Sequence, residues 1–335
     1  MPSKIAHISY YLPKNNFSND DFFTLFPELK ANENLKKIGV ENRVIAGDNQ
    51  TASDMAIEAA KKLFDEINFN PSNIDFLIYS SLDLDYYLPT TSSFIHKELG
   101  LSDTCGTIDT THGCSAYVYA LMLAKGMIEA NGFKNVLILN AYTLTKTIHP
   151  KDRASRFVFG DAASATLVGA SDKQFIGNSV VGTESTGLEK IMVRDGGQRN
   201  PLKDDSYNEI KDEYGNITSN ANFYMDGTGV FMFSLRRVPV LIKDTLAKNN
   251  ISLDQVDGFI FHQANLYMIQ AIVKKAGIDS SKVFNNMQRI GNTVGCTIPI
   301  ALKDAMDQGK FVKGNKVMLI GFGVGLSWSA TVIEL

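Results

Sequence analysis

Little in this chain is in excess, and each shortage rules something out. Three cysteines among 335 residues are too few for a disulfide framework, so a reducing, cytoplasmic setting is the expectation. Lysine and arginine number 33 against 36 aspartates and glutamates. No bulk field therefore draws the chain to nucleic acid or to a membrane surface. No apolar run approaches the roughly 18 residues needed to cross a bilayer. The stretch Met1 to Pro13 lacks the charged-then-apolar order of a signal peptide. No Cys/His spacing has the form of a zinc site. What remains is a chain that is 44% hydrophobic with evenly scattered charge, as in a globular protein. Its length allows two ordinary domains or one large two-part unit.

The chain repeats itself. NIDFLIYSS (Asn73 to Ser81) follows a helical pattern beginning near Ser53, and QVDGFIFH (Gln255 to His262) follows one from about Ser234 to Asn249. Each has a polar start, an Asp and a short apolar run suited to a buried strand. Further on, Gly113-Cys114-Ser115 opens a helical pattern through Ala130 that leads to VLILNA (Val136 to Ala141). Its counterpart is Gly291 to Cys296, a helix from Pro299 to about Gln308, and VMLIGF (Val317 to Phe322). Proline suits a first helical turn, where a missing N–H costs little. Matching positions lie about 180 residues apart, as a tandem duplication would leave them. Each half is expected to end in a Gly-rich hairpin, Phe157 to Gly169 and Leu319 to Leu335. The expected units are therefore residues 1–172 and 173–335. Strands alternating with helices imply sheets covered on both faces, and two such halves make an α-β-α-β-α body. The polar stretch Arg194 to Asn222 reads as a surface insertion, a lid or a mobile loop.

Three residues stand where α/β sites gather. Cys114 lies where loop becomes helix, and the positive helix end is expected to depress its pKa. Gly113 before it permits the backbone of a tight nucleophile turn. His262 stands at the carboxyl end of a predicted strand. Asn292 lies in a Gly-flanked turn before a helix. Each alone has an ordinary structural explanation: a packed thiol, a buried histidine or a turn asparagine. The duplication gives Cys114 and Asn292 equivalent helix-start positions, and so draws all three towards one centre. Cys105 and Cys296 read as small buried hydrophobes. His112 is close to Cys114 in sequence, yet its side chain is expected to point away.

On five stretches the chain resembles the ketoacyl synthase III family of the thiolase superfamily. They are DTTHGCSAYVYAL around Cys114, RFVFGDAASATLV from Arg156, FHQANL from Phe261, GNTVGCTIPIAL from Gly291 and GFGVGLSWSA from Gly321. The resemblance implies a homodimer and a Cys114–His262–Asn292 trio. In that family's chemistry Cys114 takes an acyl group from a thioester. The backbone N–H groups of Cys114 and Val324 hold the oxyanion. A malonyl group on acyl-carrier protein then loses carbon dioxide and attacks, with His262 and Asn292 as donors to its thioester oxygen. The product is a 3-oxoacyl-acyl-carrier protein, in fatty-acid initiation or a specialised lipid or polyketide pathway. No cofactor or metal is implied; coenzyme A or phosphopantetheine thioesters are substrates.

The resemblance also assigns entrance residues. Lys37 stands where relatives place an Arg for coenzyme A, and Arg153 matches another entrance Arg. No aromatic occurs from Glu33 to Arg43, although relatives stack adenine on one there, which shifts the expected donor towards an acyl-carrier protein. Lys274 and Lys275 match a basic pair that meets the carrier, while Tyr267 replaces a customary Arg. The stretch Phe157 to Phe159 and the Tyr-rich stretch Asp85-Tyr86-Tyr87-Leu88, Phe157 and Leu88 above all, are expected to shape the acyl pocket. Rival readings are a Cys-His-Asn hydrolase, a non-decarboxylating acyltransferase on the same fold, and a catalytically silent partner subunit.

Overall fold

The apolar runs form two sheets. The computed structural model describes residues 1–335, except the side chain of Asn34, which lies in the Glu33–Arg43 stretch above. Strands β1 (Ser3–Tyr11), β2 (Phe76–Ser80), β3 (Gly106–Thr110), β4 (Asn135–Tyr142) and β5 (Ala162–Ala170) pair in the order β1-β5-β4-β2-β3. Strands β6 (Val180–Thr183), β7 (Gly258–Phe261), β8 (Lys316–Gly323) and β9 (Ser327–Glu334) pair as β7-β8-β9-β6. Each sheet holds a corresponding parallel pair, β4 with β2 in the first and β8 with the edge strand β7 in the second.

Helices fill three layers around them. These are α1 (Ala52–Glu66), α2 (Thr91–Glu98), α3 (Ala116–Asn131), α4 (Gly227–Lys248), α5 (Leu266–Ala276) and α6 (Thr297–Asp307). Strand residues alternate between layers, as the pleat requires. Ile78, Ile138, Val317 and Leu319 pack inward against Tyr117 and Leu121 of α3 and Ile298 and Leu302 of α6. Leu77 and Leu139 face outward against Met55 and Leu63 of α1, and Met318 and Ile320 against Leu241 and Ile269 on the other side. The result is the expected five-layer α-β-α-β-α body. Local chemistry places the helix ends: Thr51 and Asp54 make a reciprocal capping box at α1. Asp226 accepts from the Gly229 N–H at 2.8 Å, which starts α4 well before the expected Ser234.

The repeat is visible in register. Ala116 and Thr297 begin α3 and α6, and Asn135 and Lys316 begin β4 and β8, in both cases 181 residues apart. The expectation of matching terminal hairpins is corrected. Only Val324–Leu326 separates β8 from β9, whereas residues 143–161 separate β4 from β5. Nor is Arg194 to Asn222 a loose loop. Ile191–Val193 pairs with Phe223–Met225 at its base, and Ile210–Lys211 pairs with Ile217–Thr218 within it. Hydrogen bonds from Asn222 to the Thr147 carbonyl (3.0 Å) and from Asn216 to Asp152 (2.9 Å) tie it down.

Candidate active site

Cys114 stands just before α3, 9% exposed. The turn after β8 comes up against it closely enough to require glycine on both sides. A methyl at position 113 would lie 2.5 Å from Val324, and one at position 323 would lie 2.7 Å from Cys114 Sγ. Gly323 also has φ +154. Serines hold the two segments together: Ser115 Oγ meets Ser327 Oγ at 2.7 Å, and Ser329 Oγ donates to the Ser115 carbonyl at 2.9 Å. The backbone N–H groups of Val324 and of Cys114 itself face the sulfur.

The expected low thiol pKa is not what the surroundings give. Burial pushes the Cys114 thiol up to about 11, although those two N–H groups act in the opposite direction. Desolvation of an anion in an apolar wall outweighs the helix end here. The resting group is therefore a thiol, and its attack needs a base.

His262 follows β7 and is 2% exposed; its N–H donates to the Ile320 carbonyl at 2.7 Å, which continues the β7–β8 ladder. Its ring stands edge-on to Phe322, and Nδ1 lies 2.8 Å from Thr297 Oγ1. Burial lowers its pKa to about 3, opposed only by the Val294 carbonyl, so the imidazole is neutral at working pH. Asn292 is held by its backbone, donating to the Val158 carbonyl (2.9 Å) and accepting from Gly160 N–H (3.0 Å). Its Oδ1 accepts from the Val294 N–H at 3.0 Å, while Nδ2 makes only a long 3.5 Å contact with the Ala264 carbonyl. That leaves Nδ2 with donor capacity. Val294 has φ +55, a strained value for a β-branched residue. One residue thus turns its N–H to Asn292 and its carbonyl to Thr297.

The three side chains line one cavity of about 300 Å³. Its walls are apolar, with Leu144, Phe159, Ile191, Phe223, Val230 and Met268 among them. A carboxyl joins them: Asp83 accepts from the Thr143 N–H at 2.8 Å, and burial raises its pKa. Two expected pocket residues are corrected. Phe157 lies behind the wall, edge-on to Phe22 with its ring 5.3 Å from the Arg43 guanidinium. Arg43 is fully buried there and backs Gly291, so Phe157 supports the Asn292 turn from behind. Its neighbours Val158 and Phe159 face the cavity instead. Leu88 is 88% exposed and stands outside the cavity of its own chain.

At the mouth, Met225 and Gly227 are shared with a second pocket of about 250 Å³ under the 194–222 insertion. Arg153 stands beside it, already paired with Glu28 at 3.2 Å and bonded to the Tyr214 carbonyl. Lys37, Lys274 and Lys275 are exposed, the last two in the final turn of α5. His112 stacks on Tyr119, with its carbonyl accepting from Tyr142; it is not among the residues lining the cavity. Thr297, Val294 and Ser327 carried no signal in the sequence, because each acts through a partner that only folding brings near.

Against this geometry stand the comparisons with known proteins. The family model for 3-oxoacyl-[acyl-carrier-protein] synthase III matches residues 108–185, and the model for its C-terminal part matches residues 246–335. A beta-ketoacyl-[acyl-carrier-protein] synthase III of Clostridium perfringens is 32% identical over 335 residues, covering 99% of both chains. The chain belongs to the 3-oxoacyl-[acyl-carrier-protein] synthase III family. A second member, from Lactococcus lactis subsp. lactis, is 33% identical over 99% of both chains. A 2.1 Å crystal structure of a 3-oxoacyl-(acyl-carrier-protein) synthase III superposes with TM-score 0.97 at 38% identity, covering 100% of each. As a member of that family, this chain has the thiolase-type fold, and its thiol, imidazole and carboxamide line one cavity.

Proposed function

We propose that this chain condenses a Cys114-bound acyl group with a malonyl thioester on acyl-carrier protein, losing carbon dioxide to give a 3-oxoacyl thioester. One observation carries the reading: a buried thiol, two N–H groups facing it, a neutral imidazole and a spare amide donor share one apolar cavity. In the first half, Cys114 Sγ gives up its proton and bonds to the acyl carbon. The N–H groups of Cys114 and Val324 hold the oxyanion. The donor C–S bond then breaks, and the departing sulfur takes that proton. In the second half, the malonyl C–CO₂ bond breaks and its electron pair becomes an enolate, whose oxygen accepts from the His262 imidazole N–H and from Asn292 Nδ2. The enolate attacks the acyl carbon and expels Cys114 thiolate, which recovers a proton from water.

The entrance supports an acyl donor on a carrier protein rather than on coenzyme A. Arg153 is engaged by Glu28 and Tyr214, and no aromatic stands between Glu33 and Arg43. Lys274 and Lys275 offer charge to an acidic carrier. A homodimer belongs to the same reading. Its support is the edge strand β3, with Ile108 40% exposed, beside the loop carrying exposed Leu84, Tyr86, Tyr87 and Leu88. Uncovered edges and apolar loops of this kind invite pairing. Three unpaired cysteines suit a reducing, cytoplasmic setting.

Intact-protein mass spectrometry tests the reading. Wild type and Cys114→Ala are incubated with acyl-coenzyme A and acyl-carrier donors, then chased with malonyl-carrier protein. An adduct on wild type only, discharged as a 3-oxoacyl-carrier product, is the expected result. An adduct that malonyl-carrier leaves untouched would instead identify a simple acyltransferase.

A further inference from the structure

One carboxyl in the cavity has no part in the reaction just described. Asp83 lines the cavity together with Leu82 and Leu144. The backbone brings it close to the nucleophile: a methyl added at Gly113 would lie 3.4 Å from Leu82 Cδ1. Thr143 holds the carboxyl, giving its N–H to Oδ2 at 2.8 Å and a side-chain hydrogen bond besides. No other residue among those described donates to it. Lys146, whose charge reaches it, gives its ammonium to the Asp48 and Gln50 carbonyls at 2.8 and 2.7 Å. A carboxylate has about four acceptor positions, so capacity is left over. The wall around it is apolar, with Val158, Phe159, Ile191 and Phe223. A cavity that took a plain alkyl chain would gain nothing from a carboxyl there, whose desolvation costs free energy. Ligand pockets set a few polar groups among apolar ones where the ligand carries a matching group.

We infer that Asp83 selects the acyl group: the cavity takes a chain that carries a hydroxyl, which Asp83 hydrogen-bonds. This rests on the acyl-Cys114 role proposed above and names the class of chain. Because Leu82 adjoins Gly113, the hydroxyl belongs early in the chain, near the thioester. A hydroxyl is donor and acceptor at once, so it pairs with the carboxyl in either protonation state. An alkyl chain of the same shape leaves the carboxyl unpaired. An ammonium group would need the ionised form alone, which burial disfavours. Asp83 governs which chain enters, and the chemistry at Cys114 is the same for every donor.

Matched donors read this directly, because hydroxyl and methyl fill nearly the same volume. Carrier-bound 3-hydroxybutyryl, as each enantiomer, is set against 3-methylbutyryl, and 4-hydroxybutyryl against pentanoyl. Rapid-quench mass spectrometry follows acylation of Cys114. In wild type the hydroxyl member of at least one pair should have a kcat/KM about tenfold higher or more. Sites that hydrogen-bond a substrate hydroxyl discriminate in this way against the analogue lacking it. Asp83→Leu should erase or reverse that ratio. Asp83→Asn, which keeps an acceptor for Thr143, should retain most of it. A merely structural role for Asp83 would slow both members of a pair alike; an unchanged ratio in Asp83→Leu therefore overturns the inference. So does the lack of a hydroxyl preference in both wild-type pairs, which decides the matter even if Asp83→Leu does not fold. If no donor acylates Cys114 at all, the underlying site reading fails instead.

Discussion

At the start of α3, Cys114 meets Gly323 of β8; at the start of α6, Gly295 meets Tyr142 of β4. These are the same junction in the two halves, since 114 and 295 share the 181-residue offset of the helices, and 142 and 323 that of the strands. In the second junction the space is filled. A methyl at position 295 would come 2.5 Å from Tyr142 Oη, which donates to the His112 carbonyl at 2.6 Å. In the first, the strand residue is the one reduced to glycine, and the helix-start residue carries sulfur. The 181-residue offset gives two equivalent positions. Exchanging which partner is bulky closed one and left the other with room for an acyl group. The strand ends differ likewise: His262 occupies the position in β7's register that Ser80 holds at the end of β2.

The sharpest way to break this comparison is to exchange the thiols. Cys114→Ala should abolish the acyl adduct entirely. Cys296→Ala, at the other junction, should keep it while losing about 1–2 kcal/mol of stability from a buried thiol bonded to the Asn140 and Ala162 carbonyls. Mass spectrometry with urea unfolding reads both, and an adduct lost in both variants would deny the asymmetry.

Next comes the glycine. Gly323→Ala should cut the acylation rate about 100-fold, the scale of losing an oxyanion donor, because Val324 must move away from the sulfur. Gly295→Ala should instead cost stability, about 1–3 kcal/mol by overpacking on Tyr142. Paired rates and unfolding midpoints distinguish the two.

A third expectation concerns pH. With the Cys114 thiol raised to about 11, alkylation by iodoacetamide should climb roughly tenfold per unit from pH 6 to 9, following the thiolate fraction. His262 is already neutral above about 3, so it adds no inflection in that range. A plateau below pH 8 would mean a preformed thiolate and would undo the need for a base. The smallest effect is expected at the mirror of His262. Ser80→Ala removes a 3.4 Å contact with the Thr110 carbonyl and a side-chain hydrogen bond to Tyr142, and should leave acylation unchanged, with stability within about 1 kcal/mol.

Much of this was legible in the chain itself. Buried runs such as VLILNA and VMLIGF read as strands because nothing polar interrupts them. The helical pattern beginning near Ser53 marked a helix start, and the repeat marked Cys114, His262 and Asn292 as neighbours. What the chain concealed were effects of distant atoms. The thiol's pKa was read from its helix end, but the wall that desolvates it comes from another sheet. Phe157 looked like a pocket residue, yet its ring turns to Arg43, while Val158 and Phe159 line the cavity.

The sequence by itself determined the duplicated α/β plan and the residue types at its centre, because strand and helix periods and glycine positions are local properties. Only the tertiary structure decided the chemistry of those residues. Protonation and free volume depend on what lies within a few ångströms, and here those neighbours are some 35 to 210 positions away, as for Thr297 beside His262 and Gly323 beside Cys114.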